Sequence, residues 1–382
     1  MRKSFSRHRA LLALALTIIG VVGLVAIFAT NLSALPEFSV RYNQNCQLCH
    51  HSPNGGGMRS LYGAQFFSYM DIPWKPESDL ANLEKKVQPQ INKNFQVGFD
   101  FRSIYYSTRG DYHDQYGNNY VSEGDNSFIS MQGDLYLAFI PSEKLLLYLD
   151  KGLRGNFEAF ALFQGLPGHF FMRAGHFVPG YGWRFAEHKA FVRDSLGFGL
   201  GGAEDGIEAG HYDMNGEFSM AITNGRPASI IDSDKAKALT LRTAGRIALG
   251  NLKLSVGGSY RYAEYGGELR NDSVLTRYAG VFGGVNLGRF TYLGEGDFII
   301  RQDKGFVATQ KLLVKLRPGW DLDFMYDYYD PDIDVQTGYV YRTRLANHFY
   351  LTGYLELIPS IEWNSIQGQE FGIGELQLHS WF

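Results

Sequence analysis

Trp320-Asp321-Leu322-Asp323-Phe324-Met325-Tyr326-Asp327-Tyr328 sets apolar or aromatic residues at 320, 322, 324, 326 and 328 against aspartates at 321, 323 and 327. Successive side chains of a strand point to opposite faces, so this stretch has one oily face and one charged face. The oily face suits lipid, and the charged face needs water or ionic partners. The same pattern occurs elsewhere. Val97, Phe99 and Phe101 alternate with Gln96, Asp100 and Arg102, and Leu252, Leu254, Val256, Tyr260 and Tyr262 alternate with Lys253, Ser255 and Arg261. Met131, Leu135, Leu137 and Phe139 alternate with Gln132, Asp134 and Tyr136.

From Phe95 to Phe382 the alternation predicts about sixteen strands, starting near 95, 128, 144, 156, 169, 205, 216, 239, 251, 276, 289, 306, 319, 346, 360 and 371. Tight turns are expected at Pro141-Ser142-Glu143, Leu166-Pro167-Gly168, Asn215-Gly216, Gly250-Asn251, Gly288-Arg289, Pro318-Gly319 and Pro359-Ser360. Several of the other connections are long: 106–126, 178–204, 224–238 and 330–344. Short turns on one side and long loops on the other are the pattern of outer-membrane barrels. The predicted fold class is all-β: a sixteen-stranded antiparallel outer-membrane barrel preceded by a small, irregular or helical segment. The last strand has Leu376, Leu378 and the terminal Phe382 on one face, with Glu375, Gln377 and His379 on the other. A terminal aromatic is similar to the sorting signature of bacterial outer-membrane barrels, although Ser380 departs from it. Composition agrees: 45 Gly, 24 Tyr and 28 Phe in 382 residues, with a mean hydropathy of −0.20. A soluble β-sandwich shares that composition, but sixteen strands with charged faces are hard to bury in one soluble core.

Residues 1–34 read as a signal peptide. Arg2, Lys3, Arg7 and Arg9 precede an apolar run from Ala10 to about Ala29, and Leu32-Ser33-Ala34 offers a cleavage point. The run is also long enough for an uncleaved anchor. Either delivers the remainder beyond the inner membrane. Residues 35–70 form the next segment, 71–93 a polar connector, and 94–382 the barrel, placed in the outer membrane of a Gram-negative bacterium in contact with its lipid. A net charge of −3 without a basic face argues against a nucleic-acid partner.

Within 35–70 stands Cys46-Gln47-Leu48-Cys49-His50, the C-x-x-C-H spacing of covalent c-type haem attachment. These are the only two cysteines in the sequence. Cys46 and Cys49 are the candidate attachment points for one haem c, and His50 is the candidate proximal iron ligand. A disulfide or redox dithiol, a zinc half-site and a chance match are the other readings. The following Ser52-Pro53-Asn54-Gly55-Gly56-Gly57 marks a tight loop. Met58 on that loop is a candidate distal ligand, as is Met70, while His51 would struggle to reach the far side of the ring. A lumen-facing residue of the barrel and an open site are the remaining possibilities.

The loop 178–204 carries Arg184, His188, Lys189 and Arg193 beside Tyr181, Trp183 and Phe185. It occupies the position of the third extracellular loop, which folds inward in general porins. It reads either as an electropositive constriction favouring anions or as an exposed, solvated loop. Lumen charges are balanced, with Arg242, Arg246, Lys253, Arg261, Lys311 and Lys315 against Glu295, Asp297, Asp321, Asp323 and Asp327. Balance argues against strong ion selectivity and equally suits a barrel that holds an insert by ion pairs.

Leader, haem motif and barrel together resemble the fused cytochrome–porin proteins of the outer membrane, whose best-known members are monohaem iron oxidases. Leu35-Pro36-Glu37-Phe38 followed by CQLCH is similar to that family's haem segment. The resemblance implies a haem at or inside the barrel, passing electrons from an extracellular donor, ferrous iron among them, to periplasmic carriers such as cytochromes. Segment 169–193 also resembles phosphate-selective-type porins. Two other functions compete: a passive, anion-preferring solute porin with a non-conducting haem or disulfide segment, and a sheath for a separate multihaem cytochrome. An apolar band of about 25 Å is too thick for one haem left in the periplasm to bridge. Either 35–70 enters the aqueous channel that a sixteen-strand barrel leaves, or a second cytochrome docks through it.

Overall fold

The computed structural model describes residues 36–76, 88–113, 119–153, 155–213, 215–225, 235–267, 270–335 and 337–382. The expected leader, and part of the connector, lie outside the described residues. Among the described residues sixteen long strands make one closed antiparallel barrel. They are β1 Phe95–Arg109, β2 Asn126–Ser142, β3 Leu145–Gly152, β4 Phe157–Leu166, β5 Phe170–Phe177, β6 Glu204–Tyr212, β7 Gly216–Thr223 and β8 Ala238–Leu249. The second half is β9 Leu252–Gly267, β10 Arg270–Leu287, β11 Phe290–Ile300, β12 Lys304–Arg317, β13 Trp320–Asp330, β14 Val340–Thr352, β15 Leu355–Ile366 and β16 Gln369–Trp381. Each strand pairs with its sequence neighbour, and β16 closes on β1 through Trp381↔Asp100 to Gly372↔Arg109. A three-residue strand, Gln90–Asn92, folds back on the start of β1. The terminal Phe382 exchanges backbone hydrogen bonds with Phe99 at 3.1 and 3.2 Å. Both ends of the barrel therefore meet on the short-turn side.

Burial is inverted relative to a soluble protein. Phe324 is 46% exposed while its neighbour Asp323 is 1% exposed. Leu345, Ile361, Leu376 and Leu378 face outward, whereas Arg261, Lys311, Asp327 and Arg342 are buried inside. A chain can afford such an arrangement only where lipid covers its outside and polar partners fill its inside.

One expected turn is displaced. Pro359 lies within β15, and the turn preceding that strand is Gly353-Tyr354. The β14–β15 ladder pairs Ala346 with Ser360 and Phe349 with Leu357 but forms no pairs at Ile358 and Pro359 between them. Proline has no N–H to give, and the strand accommodates it by leaving that rung open.

The lumen is filled. Helix α1 (Pro36–Tyr42) and the one-turn helix α2 (Cys46–Cys49) enter it first. A loop follows, then a helical stretch of Tyr62–Phe67 and Ser68–Met70. Arg41 donates to Asp321 of β13 at 2.5 Å, and Lys253 of β9 donates to the Arg41 carbonyl at 2.5 Å. Lys311 of β12 stands 3.7 Å from Glu37. Asn54 reaches Glu208 of β6 at 3.2 Å, and His51 meets Gln96 of β1 at 2.8 Å. Trp74 closes the segment at the rim, its N–H on the Tyr350 carbonyl and the Arg317 guanidinium 3.5 Å above its ring. Partners on strands all round the ring fix the segment as an insert in the turn-side half of the lumen. The connection after β5 folds inward and fills the other half, with the short helix α3 (Phe191–Asp194) in it. Tyr181 donates to Asp297 at 2.7 Å, and Arg102 donates to the Ala186 carbonyl at 2.8 Å.

Candidate functional site

Asn45 caps α2, its side chain accepting from the Gln47 N–H at 3.0 Å, and the His50 N–H closes the turn on the Cys46 carbonyl at 2.9 Å. The chain then straightens at His50 and doubles back. His50 and Arg59 form an antiparallel bridge, and the His51 N–H donates to the Met58 carbonyl at 3.1 Å. The return needs glycine. Gly57 sits at φ 61°, and a Cβ there would stand 2.5 Å from the Tyr148 hydroxyl. That hydroxyl accepts the Met58 N–H at 3.0 Å. Gly55 sits at φ 76°, where a Cβ would press on the Cys46 side chain at 3.3 Å.

His50 is 4% exposed, and neither ring nitrogen has a hydrogen-bond partner. The Gly57 backbone approaches the ring without forming a hydrogen bond of ordinary geometry. Burial, reinforced by Arg59 and Arg184, pushes the imidazole down to about 3, so the ring is neutral with a lone pair available. A buried polar side chain almost always has a partner, and one with two unmatched nitrogens has the character of a metal ligand waiting for its ion. The cavity beside it has a volume of about 140 Å³ and is lined also by Phe38, Ile72, Tyr350 and Trp381. Cys46 and Cys49 are both buried and unjoined. Burial pushes their thiols up to about 11 and about 12, with Glu217 also raising Cys46. Protonated, inaccessible thiols do not suit a dithiol–disulfide exchange centre. Cys49 packs with Phe38 and Ile72, two of the cavity's own walls. An imidazole and two thiols with Phe38 and Ile72 beside them suit a haem, and charged residues such as Asp100, Arg102, Glu187 and Glu356 line the rest of the cavity.

Met58 is not brought to the cavity. It opposes His51 rather than His50 across the doubled-back chain, and it is 1% exposed in a wall cluster with Tyr136, Leu146, Tyr148 and Phe160. The side chain of Met70 lies outside the described residues.

The four basic residues of the inward loop are all engaged. Arg184 donates to Glu158 at 3.0 Å and to the Gly55 carbonyl at 2.8 Å. Lys189 pairs with Glu375 and stands 3.7 Å from Glu362. Arg193 donates to the carbonyls of Phe185 at 2.5 Å and Phe198 at 3.3 Å, tying the loop to itself. His188 meets Gln132 at 2.6 Å, and burial beside Arg102 and Arg193 holds it well below the ordinary histidine range. The loop is buried rather than solvated, and its charges are spent on wall and backbone partners.

Two features escape sequence reading. One is the pairing of Arg59 with His50. The other is a chain of side chains across the cavity wall: Asp100 to His379 at 3.1 Å, His379 to Glu356 at 3.0 Å, Glu356 to His348 at 2.6 Å, and His348 to Asp323 at 3.1 Å. The only trace in sequence is that each occupies a polar position of an alternating strand.

No protein-family model matches this chain, and no curated protein does. Among solved structures it is similar to OprB of Pseudomonas putida, at 10% identity and TM-score 0.55 over 83% of this chain and 100% of that one. It is similar to an anion-selective porin from Comamonas acidovorans, at 12% identity and TM-score 0.53, covering 75% and 99% of the two chains. The outer-membrane channel DcaP of Acinetobacter baumannii is a third, at 10% identity and TM-score 0.53, covering 78% and 100%. At these identities the likeness is one of fold: a porin-like barrel.

Proposed function

We propose that this chain is an outer-membrane electron-transfer protein whose N-terminal segment carries one covalent haem inside a porin-like barrel. The observation that carries this reading is His50, buried with both ring nitrogens unmatched beside a lumen cavity, directly after the cysteine pair. Cys46 and Cys49 would each add across a vinyl group of the porphyrin, sulfur to one carbon and hydrogen to the other, releasing nothing. His50 would ligate the iron, and Phe38 and Ile72 would cover the ring against water. The bound haem would supply a one-electron couple partway through the membrane. The resemblance to monohaem iron oxidases supports ferrous iron as an extracellular donor and periplasmic cytochromes as acceptors. The inverted burial of the strands supports the outer-membrane location.

The test is a haem-stained denaturing gel of membranes expressing the wild-type chain and Cys46→Ala. Stain at the size of the full chain, lost or greatly reduced in the variant, is the expected result. Equal stain in both rules out covalent attachment here. Oxidation of ferrous iron by the purified protein identifies the donor, and no reaction removes iron.

A second reading, a passive solute porin, is favoured by the fold neighbours, one of which is an anion-selective porin. It requires an open path, whereas here both halves of the lumen are packed. Large steady ion currents in planar bilayers support the porin, and their absence supports the filled barrel.

A further inference from the structure

Arg59 faces the cavity from the strand opposite His50, and among the described residues its guanidinium has neither a hydrogen bond nor an ion pair. It stands 4.6 Å over the Trp381 ring. Asp100 is near enough to act on it electrostatically, but that carboxylate already serves Arg102 at 3.4 Å and His379 at 3.1 Å. Trp381 is 2% exposed, lines the same cavity, and its indole N–H is buried with no acceptor. An indole and a guanidinium are donors only, so both offer hydrogens to this corner of the cavity. Every other buried arginine described above found a carboxylate or a carbonyl. The unmatched Trp381 donor with the Arg59 guanidinium over its ring, on a cavity whose lining includes Phe38, Ile72 and Tyr350, suits a ligand with an apolar body and an anionic edge. The planar guanidinium fork matches a carboxylate in particular.

We propose that Arg59 and Trp381 form the seat for an edge carboxylate of the porphyrin held by Cys46, Cys49 and His50. The proposal rests on the haem reading above and adds to it the orientation of the ring, with one carboxylate turned toward the end of β16. Trp381 is the penultimate residue of the chain, so the last strand contributes to the cofactor site as well as closing the barrel. Both residues are positioning residues: they hold the ligand's edge and its charge rather than the iron.

The experiment uses the full-length, haem-loaded protein purified in detergent, as wild type, Arg59→Gln, Arg59→Lys and Trp381→Phe. Three quantities are read: covalent haem by stain, barrel integrity by the mobility of an unheated sample, and midpoint potential from pH 5 to 8. Haem stain is expected in all four, because attachment belongs to the cysteines. In Arg59→Gln an uncompensated carboxylate favours the ferric form. The reduction equilibrium is expected to fall about tenfold, which is about 59 mV for a one-electron couple. The potential should also become more dependent on pH as the carboxylate takes up protons. Arg59→Lys keeps the charge and retains most of the wild-type potential, and Trp381→Phe gives a smaller shift of the same sign. Should Arg59→Gln not yield a folded barrel, Trp381→Phe decides by the same criteria. Stained, folded variants with the wild-type potential and pH profile overturn the seat while leaving the haem reading intact. A wild-type protein without stain overturns the haem reading itself, and the seat with it.

Discussion

Arg184 of the inward loop holds the Gly55 carbonyl of the N-terminal segment at 2.8 Å with one arm of its guanidinium and Glu158 of β4 at 3.0 Å with the other. Loop, insert and wall meet at this one side chain. Removing it takes away the joint between the two halves of the lumen filling and leaves Glu158 buried without its cation. Arg184→Ala should cost about 3 kcal/mol, the scale of breaking one partner out of a buried ion pair. The check is the temperature at which an unheated sample loses its folded mobility on a gel. An unchanged transition would mean the joint contributes nothing.

Gly57 and Tyr148 should behave as a coupled pair. Gly57→Ala adds a methyl 2.5 Å from the Tyr148 hydroxyl at a left-handed backbone position, for which the conformation alone costs about 1–2 kcal/mol. Tyr148→Phe leaves the buried Met58 N–H unmatched, at about 1–3 kcal/mol. Together they should cost less than the sum, because the phenylalanine makes room for the methyl. Simple additivity in the double-mutant cycle argues against the contact.

The inward loop should loosen in acid. Burial alone would raise the Glu187 carboxyl, but Arg344, Arg342 and Lys189 hold it well below the usual carboxylate range, with Arg344 at 3.2 Å. A folded value below the unfolded one stabilises at high pH. The contribution is complete above about pH 4.5 and is lost as the pH falls toward the folded value. Glu187→Gln should therefore be less stable than wild type at pH 7, and the gap should start to narrow below about pH 4.5 and keep narrowing as the pH falls toward the folded value. A gap independent of pH sinks the assignment.

The outer surface should be intolerant of charge only where lipid touches it. Phe324 lies mid-strand on β13 and Val335 in the connection after it, with similar exposures of 46% and 49%. Phe324→Arg should cost about 2–4 kcal/mol when the protein is folded into vesicles, whereas Val335→Arg should cost close to nothing. Equal penalties would remove the lipid-facing assignment.

Strand number and polarity of face were legible because a period of two is a local property, written into residues such as 320–328. Most strand starts lie within a few residues of those the alternation marks. The larger displacements have local causes. β10 and β14 extend some six residues further toward the long-loop side than their apolar positions suggest. β15 starts earlier because Pro359, read as a turn, sits in an open rung of the ladder. The C-x-x-C-H spacing was equally visible, being five consecutive residues. What no local pattern carries is the company each residue keeps once the ring closes. Arg41 meets Asp321 across 280 positions, and Arg59 lies over Trp381 at the far end of the chain. The loop charges at 184, 188, 189 and 193 could be located in sequence, but whether they faced a pore or were consumed by partners depended on strands far away.

The closed ring has a consequence for assembly. The insert precedes β1 in the chain, yet it is enclosed by strands that end with β16, and Cys46 and Cys49 are 8% and 4% exposed once the seam between β16 and β1 is made. An enzyme that joins a porphyrin to those sulfurs needs to handle them from outside, and the finished barrel offers it no approach. If those sulfurs carry a porphyrin as proposed, loading would come before closure, on a chain still unfolded in the periplasm. Biogenesis would then have a built-in order: a barrel that closed early would seal its two thiols away for the life of the molecule.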